Sequence, residues 1–134
     1  MRPIQMLLVT MSTATCASAN PADAALVMAL RDVESYAFAS CLARQAEPYL
    51  RDQGDGWASA IIQRAKGDLD VLTRVSEDVE REIPKSTMAV VRSELEPGKD
   101  KRLPIFYCKE LIERPALRAA IVKAASKLRS AYRR

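Results

Sequence analysis

The side chains of this chain that are able to do chemistry are thiols and carboxylates, and neither has an imidazole to work with. The 134-residue sequence contains no histidine. That removes serine–histidine and cysteine–histidine nucleophilic pairs, and with them the commonest general base and the commonest metal ligand. Catalysis by paired carboxylates is still open, and Asp52, Asp55, Asp68, Asp70, Glu77 and Asp78 are available for it. None stands in a recognisable catalytic frame, and each reads as a helix cap, a turn residue or part of a solvated face. The stretch "RDQGDGW" brushes against a calcium-loop pattern, yet Asp52 and Asp55 are its only carboxylates and the distal bidentate glutamate is missing. Single glycines at 54, 56, 67 and 98 build no phosphate cradle. No catalytic residue, no metal and no cofactor is expected.

The thiols point to a compartment instead. The opening "MRPIQMLLVTMSTATCASAN" has an early arginine, an apolar stretch over Met6 to Met11, and small residues ending in Ala17-Ser18-Ala19. That order matches a secretory signal over residues 1–19 with cleavage after Ala19. Its apolar core is far shorter than the roughly 20 residues that span a bilayer, and no later segment is long enough, so membrane insertion is not expected. Cys16 belongs to the discarded segment. A mature chain from Asn20 then keeps only Cys41 and Cys108. An even pair in an exported chain reads as a disulfide. It would close a loop of roughly 70 residues, for which chain-entropy reasoning gives about 4 kcal/mol.

The elements that must position these residues read as helices within one domain over residues 20–134. Asn20-Pro21 is a cap followed by proline at the first helical position. Leu26, Leu30, Val33, Ala37 and Cys41 then line one face of a helix running to about Glu47, where Pro48 ends or bends it. The glycines and aspartates of "RDQGDGW" predict a turn, followed by a short second helix through Trp57, Ile61 and Ala65. A third helix carries Leu69, Leu72, Val75, Val79 and Ile83 up to Pro84. "KSTMAVVRSEL" is expected as a further helix from near Ser86, although Thr87 and Val90-Val91 leave a strand open. Tyr107, Cys108, Leu111 and Ile112 mark a compact helix. Pro115 opens the last one, striped by Leu117, Ile121, Ala124, Leu128 and Tyr132. The expected fold is all-α: a small disulfide-bridged helical bundle whose first and penultimate helices are joined.

Charge is mildly basic, with 21 Lys and Arg against 17 Asp and Glu. The excess gathers toward the end, in Arg114, Arg118, Lys123, Lys127, Arg129, Arg133 and Arg134, with no acid among them. Such a helix can bind nucleic acid through its phosphates. It is equally the solvated back of an amphipathic helix whose cations complement the negative end of the helix dipole. Export disfavours a nucleic-acid partner.

Two segments carry a family resemblance. "YAFASCLARQ", followed some way on by "YCKELIERPALRAAI", resembles the immunity proteins that protect bacteria against type VI secretion amidase effectors, in particular those specific for the type 4 amidases. The matching positions are Tyr36, Ala37, Cys41 and Leu42 in the first segment, and Tyr107, Cys108, Leu111, Ile112 and Leu117 in the second. The resemblance implies a noncatalytic periplasmic inhibitor, all-helical, bridged between the two cysteines and homodimeric. It would bind a cognate papain-like amidase that cuts peptidoglycan stems, and plug its cleft with a protruding surface. The stretch 83–104 departs from the family pattern, being charged and bounded by prolines.

That stretch also stands out on physical grounds. Glu94, Glu96, Lys99, Asp100, Lys101 and Arg102 surround Pro97-Gly98, a turn expected to project from the bundle and to touch the partner. A rigid polar loop suits insertion into a cleft because little ordering entropy remains to be lost. The rival expectations are an envelope enzyme using paired carboxylates and a basic helical binding module.

Overall fold

A computed structural model describes residues 20–133. The expected signal segment, 1–19, lies outside the described residues, as does Arg134. Five helices follow one another: α1 (Pro21–Leu42), α2 (Pro48–Arg64), α3 (Asp70–Glu82), α4 (Pro104–Glu113) and α5 (Pro115–Tyr132). A 3-10 turn over Ile83–Lys85 follows α3. Between it and α4 stands a two-stranded antiparallel hairpin, β1 (Val90–Val91) and β2 (Lys101–Arg102), with Val90 opposite Arg102 and Val91 opposite Lys101. The all-α bundle expected from sequence is what forms, with the hairpin as its one departure.

Proline is the punctuation of the fold. Pro21, Pro48, Pro104 and Pro115 each open a helix, where the missing N–H costs no hydrogen bond and the fixed φ favours helical entry. At Asn20 the side-chain oxygen also accepts from the Ala22 amide at 3.0 Å. Asp68, one of the candidate acids, does a similar job for α3, its carboxylate accepting from the Asp70 amide at 3.0 Å.

The core surrounds α1, which packs against all four other helices. Ala25, Ala29, Val33, Ala37 and Cys41 face inward on it. They meet Ile61 of α2, Val71, Leu72, Val75 and Val79 of α3, Leu111 and Ile112 of α4, and Leu117, Ile121 and Leu128 of α5. The buried stripe of α1 is turned slightly from the expected one: Leu26 and Leu30 lie half-buried beside it, and alanines take the innermost positions. Small residues there let the neighbouring helices come close.

The expected cross-link is present. Cys41 and Cys108 form a disulfide with their Cα atoms 5.6 Å apart, joining α1 to α4, and both are fully buried. Gln45 covers it: its buried side chain donates to the Cys41 carbonyl at 2.9 Å, with the two sulfurs 3.6 and 3.5 Å from the same nitrogen. A second tie crosses the middle of α1. The buried Asp32 carboxylate accepts from the Tyr132 hydroxyl at 2.8 Å and from Arg64 at 2.9 Å, pinning the last turns of α5 and α2 to one point. Burial, and then the bond to Asp32, raise the Tyr132 phenol to about 12.

Three expectations need correction. First, α1 stops at Leu42, and Pro48 opens α2 instead of ending the first helix. Second, "RDQGDGW" is not a turn but the interior of α2. Gly54 is there because a Cβ at that position would stand 2.3 Å from the amide nitrogen of Ala43, just past the end of α1, and 2.7 Å from the Ala39 carbonyl oxygen within it. The glycine allows two helices to cross in backbone contact, which a turn reading of the Gly-Asp-Gly run overlooks. Third, "KSTMAVVRSEL" is extended and turns into β1. Pairing with Lys101 and Arg102 across the turn holds Val90 and Val91 in the extended form. The β-branched Thr87, Val90 and Val91 favour the extended form.

Candidate functional site

The hairpin is the one element of the described residues that leaves the bundle, and its order is built in from tip to base. At the tip, Pro97 and Gly98 occupy the central positions of a turn closed by the Lys99 amide on the Glu96 carbonyl at 3.1 Å. Gly98 has φ of +90°, which fits a type II turn and which only glycine adopts without strain. The Ser93 hydroxyl accepts from the Glu96 amide at 3.0 Å, and Lys99 pairs with Glu96 at 2.8 Å. Between Glu94 and Glu96 this arrangement leaves Leu95 94% exposed. An ordered turn holding a large aliphatic side chain in water is a cost unless something else covers it.

At the base, the Leu103 amide donates to the Ala89 carbonyl at 3.1 Å, continuing the two-residue ladder. The Ser86 and Tyr107 hydroxyls stand 2.6 Å apart, and both reach the Ile83 carbonyl, at 3.0 and 3.2 Å. Tyr107 is buried and adjoins the bridged Cys108, so the foot of the hairpin is fastened beside the disulfide. Arg114 adds a bond to the Lys85 carbonyl at 3.3 Å and faces Glu82 at 3.6 Å. Lys85, bonding to Glu82 at 2.8 Å, holds that carboxyl below its ordinary range, with Arg114 assisting.

All six residues expected to meet a partner, Glu94, Glu96, Lys99, Asp100, Lys101 and Arg102, lie on this hairpin and are exposed. The structure adds apolar neighbours that sequence reasoning did not single out. Val90, Val91, Ile105 and Phe106 are each about half exposed. Lys101 to Phe106, with Lys109 one turn on, line a cleft of about 550 Å³ between β2 and the start of α4. Lys109 is bonded to Glu113 at 2.6 Å, and that carboxylate raises the lysine above its usual range and is itself lowered. The signal for Phe106 was present in the spacing: Tyr107, Cys108, Leu111 and Ile112 take the inward positions of α4, so Phe106, on the same side as Lys109 and Glu110, must face out. Ile105, three residues before Cys108 and seven before Ile112, falls beside the inward face by spacing, and nothing in the sequence marks it as exposed.

Asp52 and Asp55 are exposed on α2, Asp68 caps α3, and Asp78 is bonded to Arg81. Among the described residues no three potential metal ligands cluster, and no helix is long and apolar enough to cross a membrane. Comparison with protein-family models, curated proteins and solved structures finds no match. The hairpin carries mixed charge along its length and an uncovered apolar side chain at its tip.

Proposed function

We propose that the chain is a periplasmic immunity protein whose hairpin enters and occludes the active-site cleft of a type VI secreted peptidoglycan amidase. The observation that carries the reading is the hairpin tip, where a hydrogen-bonded turn presents Leu95 to water between two acids. An inhibitor gains from such a part because a surface already ordered before encounter loses less entropy on binding. The disulfide and the Tyr107–Ser86 contact serve the same end by fixing the stalk to the bundle. The resemblance of "YAFASCLARQ" and "YCKELIERPALRAAI" to the amidase immunity family supplies the class of partner. Within that reading the protein acts by binding alone and, like the family, as a homodimer holding one toxin per copy.

The test is co-expression with a type 4 amidase effector exported to the periplasm. The expected result is rescue of the cells, co-elution of the purified pair and loss of peptidoglycan cleavage in vitro. Lysis that proceeds unchanged, with two separate elution peaks, would overturn the proposal.

A further inference from the structure

A second concave surface lies between α3 and α5 and shares no residue with the hairpin. Its floor is apolar and low: Val71 and Val75 on one side, Ala120 and Ala124 on the other, enclosing about 420 Å³. That volume falls within the roughly 300–1,000 Å³ of clefts that hold ligands. Around it stand Arg74 from α3 and Lys123 and Lys127 from α5. Among the described residues none of these three cations has an acidic partner. The one acid at the groove, Asp78, is committed to Arg81.

Unpaired cations are not the habit of this molecule at its helix junctions. Arg118, on the same helix, bonds to Glu34 at 3.0 Å, Arg64 to Asp32 at 2.9 Å, and Lys85 to Glu82 at 2.8 Å. In the groove, three like charges face one concavity whose one acid, Asp78, is paired with Arg81.

We propose that this groove is a docking site for an acidic amphipathic helix of a partner protein. Three features choose that occupant. Lys123 and Lys127 are one helical turn apart, about 6 Å along α5, which matches carboxylates at i and i+4 on a helix laid alongside. Arg74, across the groove, flanks the opposite side of such a helix. Val71, Val75 and Ala124 are themselves buried, and with Ala120 they give the floor no hydrogen-bonding side chain, so an occupant that reaches it does so with apolar groups, which a phosphate or a purely ionic polymer does not supply. A bilayer is the wrong shape, because a flat surface meets protruding apolar residues and not a recess. The groove does not depend on the amidase reading, and a partner bound there leaves the hairpin free.

The probe is a fluorescein-labelled 18-residue peptide designed as a helix, with leucine on one face and glutamate at i, i+4 on its flanks. Its control has the same composition in scrambled order. Fluorescence anisotropy with the full mature protein is expected to show binding of the patterned peptide only, weakening as salt rises from low to physiological strength. The double variant Lys123→Glu/Lys127→Glu is expected to bind about tenfold more weakly, as is Arg74→Glu. Ala120→Phe keeps every charge and fills the floor, and is expected to block binding equally. Circular dichroism checks that each variant remains folded. The proposal is overturned if both peptides bind alike, if neither binds, if Ala120→Phe leaves binding intact, or if anionic phospholipid vesicles or tripolyphosphate compete as well as the patterned peptide.

Discussion

Gly54 of α2 and Ala43, just past the end of α1, touch through their backbones: a Cβ added to Gly54 would lie 2.3 Å from the Ala43 nitrogen and 2.7 Å from the Ala39 oxygen. Neither atom belongs to a side chain that could swing away. Gly54→Ala is therefore expected to push α2 off α1 and cost about 3 kcal/mol, at the upper end of overpacking penalties. Gly56, two residues on, has nothing within 4 Å of its would-be Cβ and sits exposed in the same helix. Gly56→Ala should stabilise by about 1 kcal/mol through helix propensity alone. Urea denaturation of the two variants reads the difference, and changes of the same sign would contradict the crossing.

Removal of the Cys41–Cys108 bridge acts mainly on the unfolded chain, which gains the freedom of a loop spanning 67 positions. The double change to alanine is expected to lower stability by about 4 kcal/mol. That corresponds to roughly 10 °C or more in Tm for a domain of this size. Because both sulfurs are buried beneath Gln45, reductant alone should leave the native bridge intact and act only when mild denaturant opens the bundle. Thiol labelling with and without denaturant measures this, and rapid reduction of the native protein would refute the shielding.

The Asp32–Tyr132 bond makes stability sensitive to alkali in a defined window. The phenol is raised in the folded protein from 10.0 to about 12, so folding favours its protonated form. Stability from this source is fully present below pH 10 and is lost as pH climbs toward 12, where the unfolded chain gives up its proton first. The loss amounts to about 2–3 kcal/mol. Tyr132→Phe removes the titrating group and should show a flatter profile across that window. It should also be less stable at neutral pH by about 2 kcal/mol, for the lost bond to a buried carboxylate. Chemical denaturation of both proteins between pH 8 and pH 12 tests it; parallel curves would show that the bond does not control the alkaline limb.

What could be read from sequence followed from how many signals agreed at each place. In α5 a proline start and an apolar repeat through Leu117, Ile121, Ala124, Leu128 and Tyr132 coincide, and every one of those residues is buried. In α2 the signals conflict, since Gly54 and Gly56 argue for a turn and only the neighbouring helix explains one of them. Over 86–95, helix and strand propensities are close, and the pairing that decides the matter lies with Lys101 and Arg102 across the turn. Asp32 was invisible for a related reason: its partners Arg64 and Tyr132 are far off in the chain, so nothing local marks it as buried. The hairpin's charged residues were legible as a projecting turn, but its apolar component depends on which faces the bundle leaves uncovered.

Leu95 separates a binding role from a stabilising one. A side chain this exposed touches too little to support the fold, so Leu95→Asp should leave stability within about 0.5 kcal/mol. If the tip is the anchor that enters the amidase cleft, the same change costs about 2 kcal/mol of binding, roughly a thirtyfold weaker complex. Gly98→Ala approaches the tip from a different side, because alanine is strained at φ of +90° and the turn that aims Leu95 is disturbed while Leu95 itself is kept. It too should weaken the complex with little change in Tm, through lost preorganisation. Titration calorimetry against the amidase, alongside thermal melts, distinguishes the cases. Undiminished affinity in Leu95→Asp would move the inhibitory contact off the tip, to the Ile105–Phe106 cleft beside it.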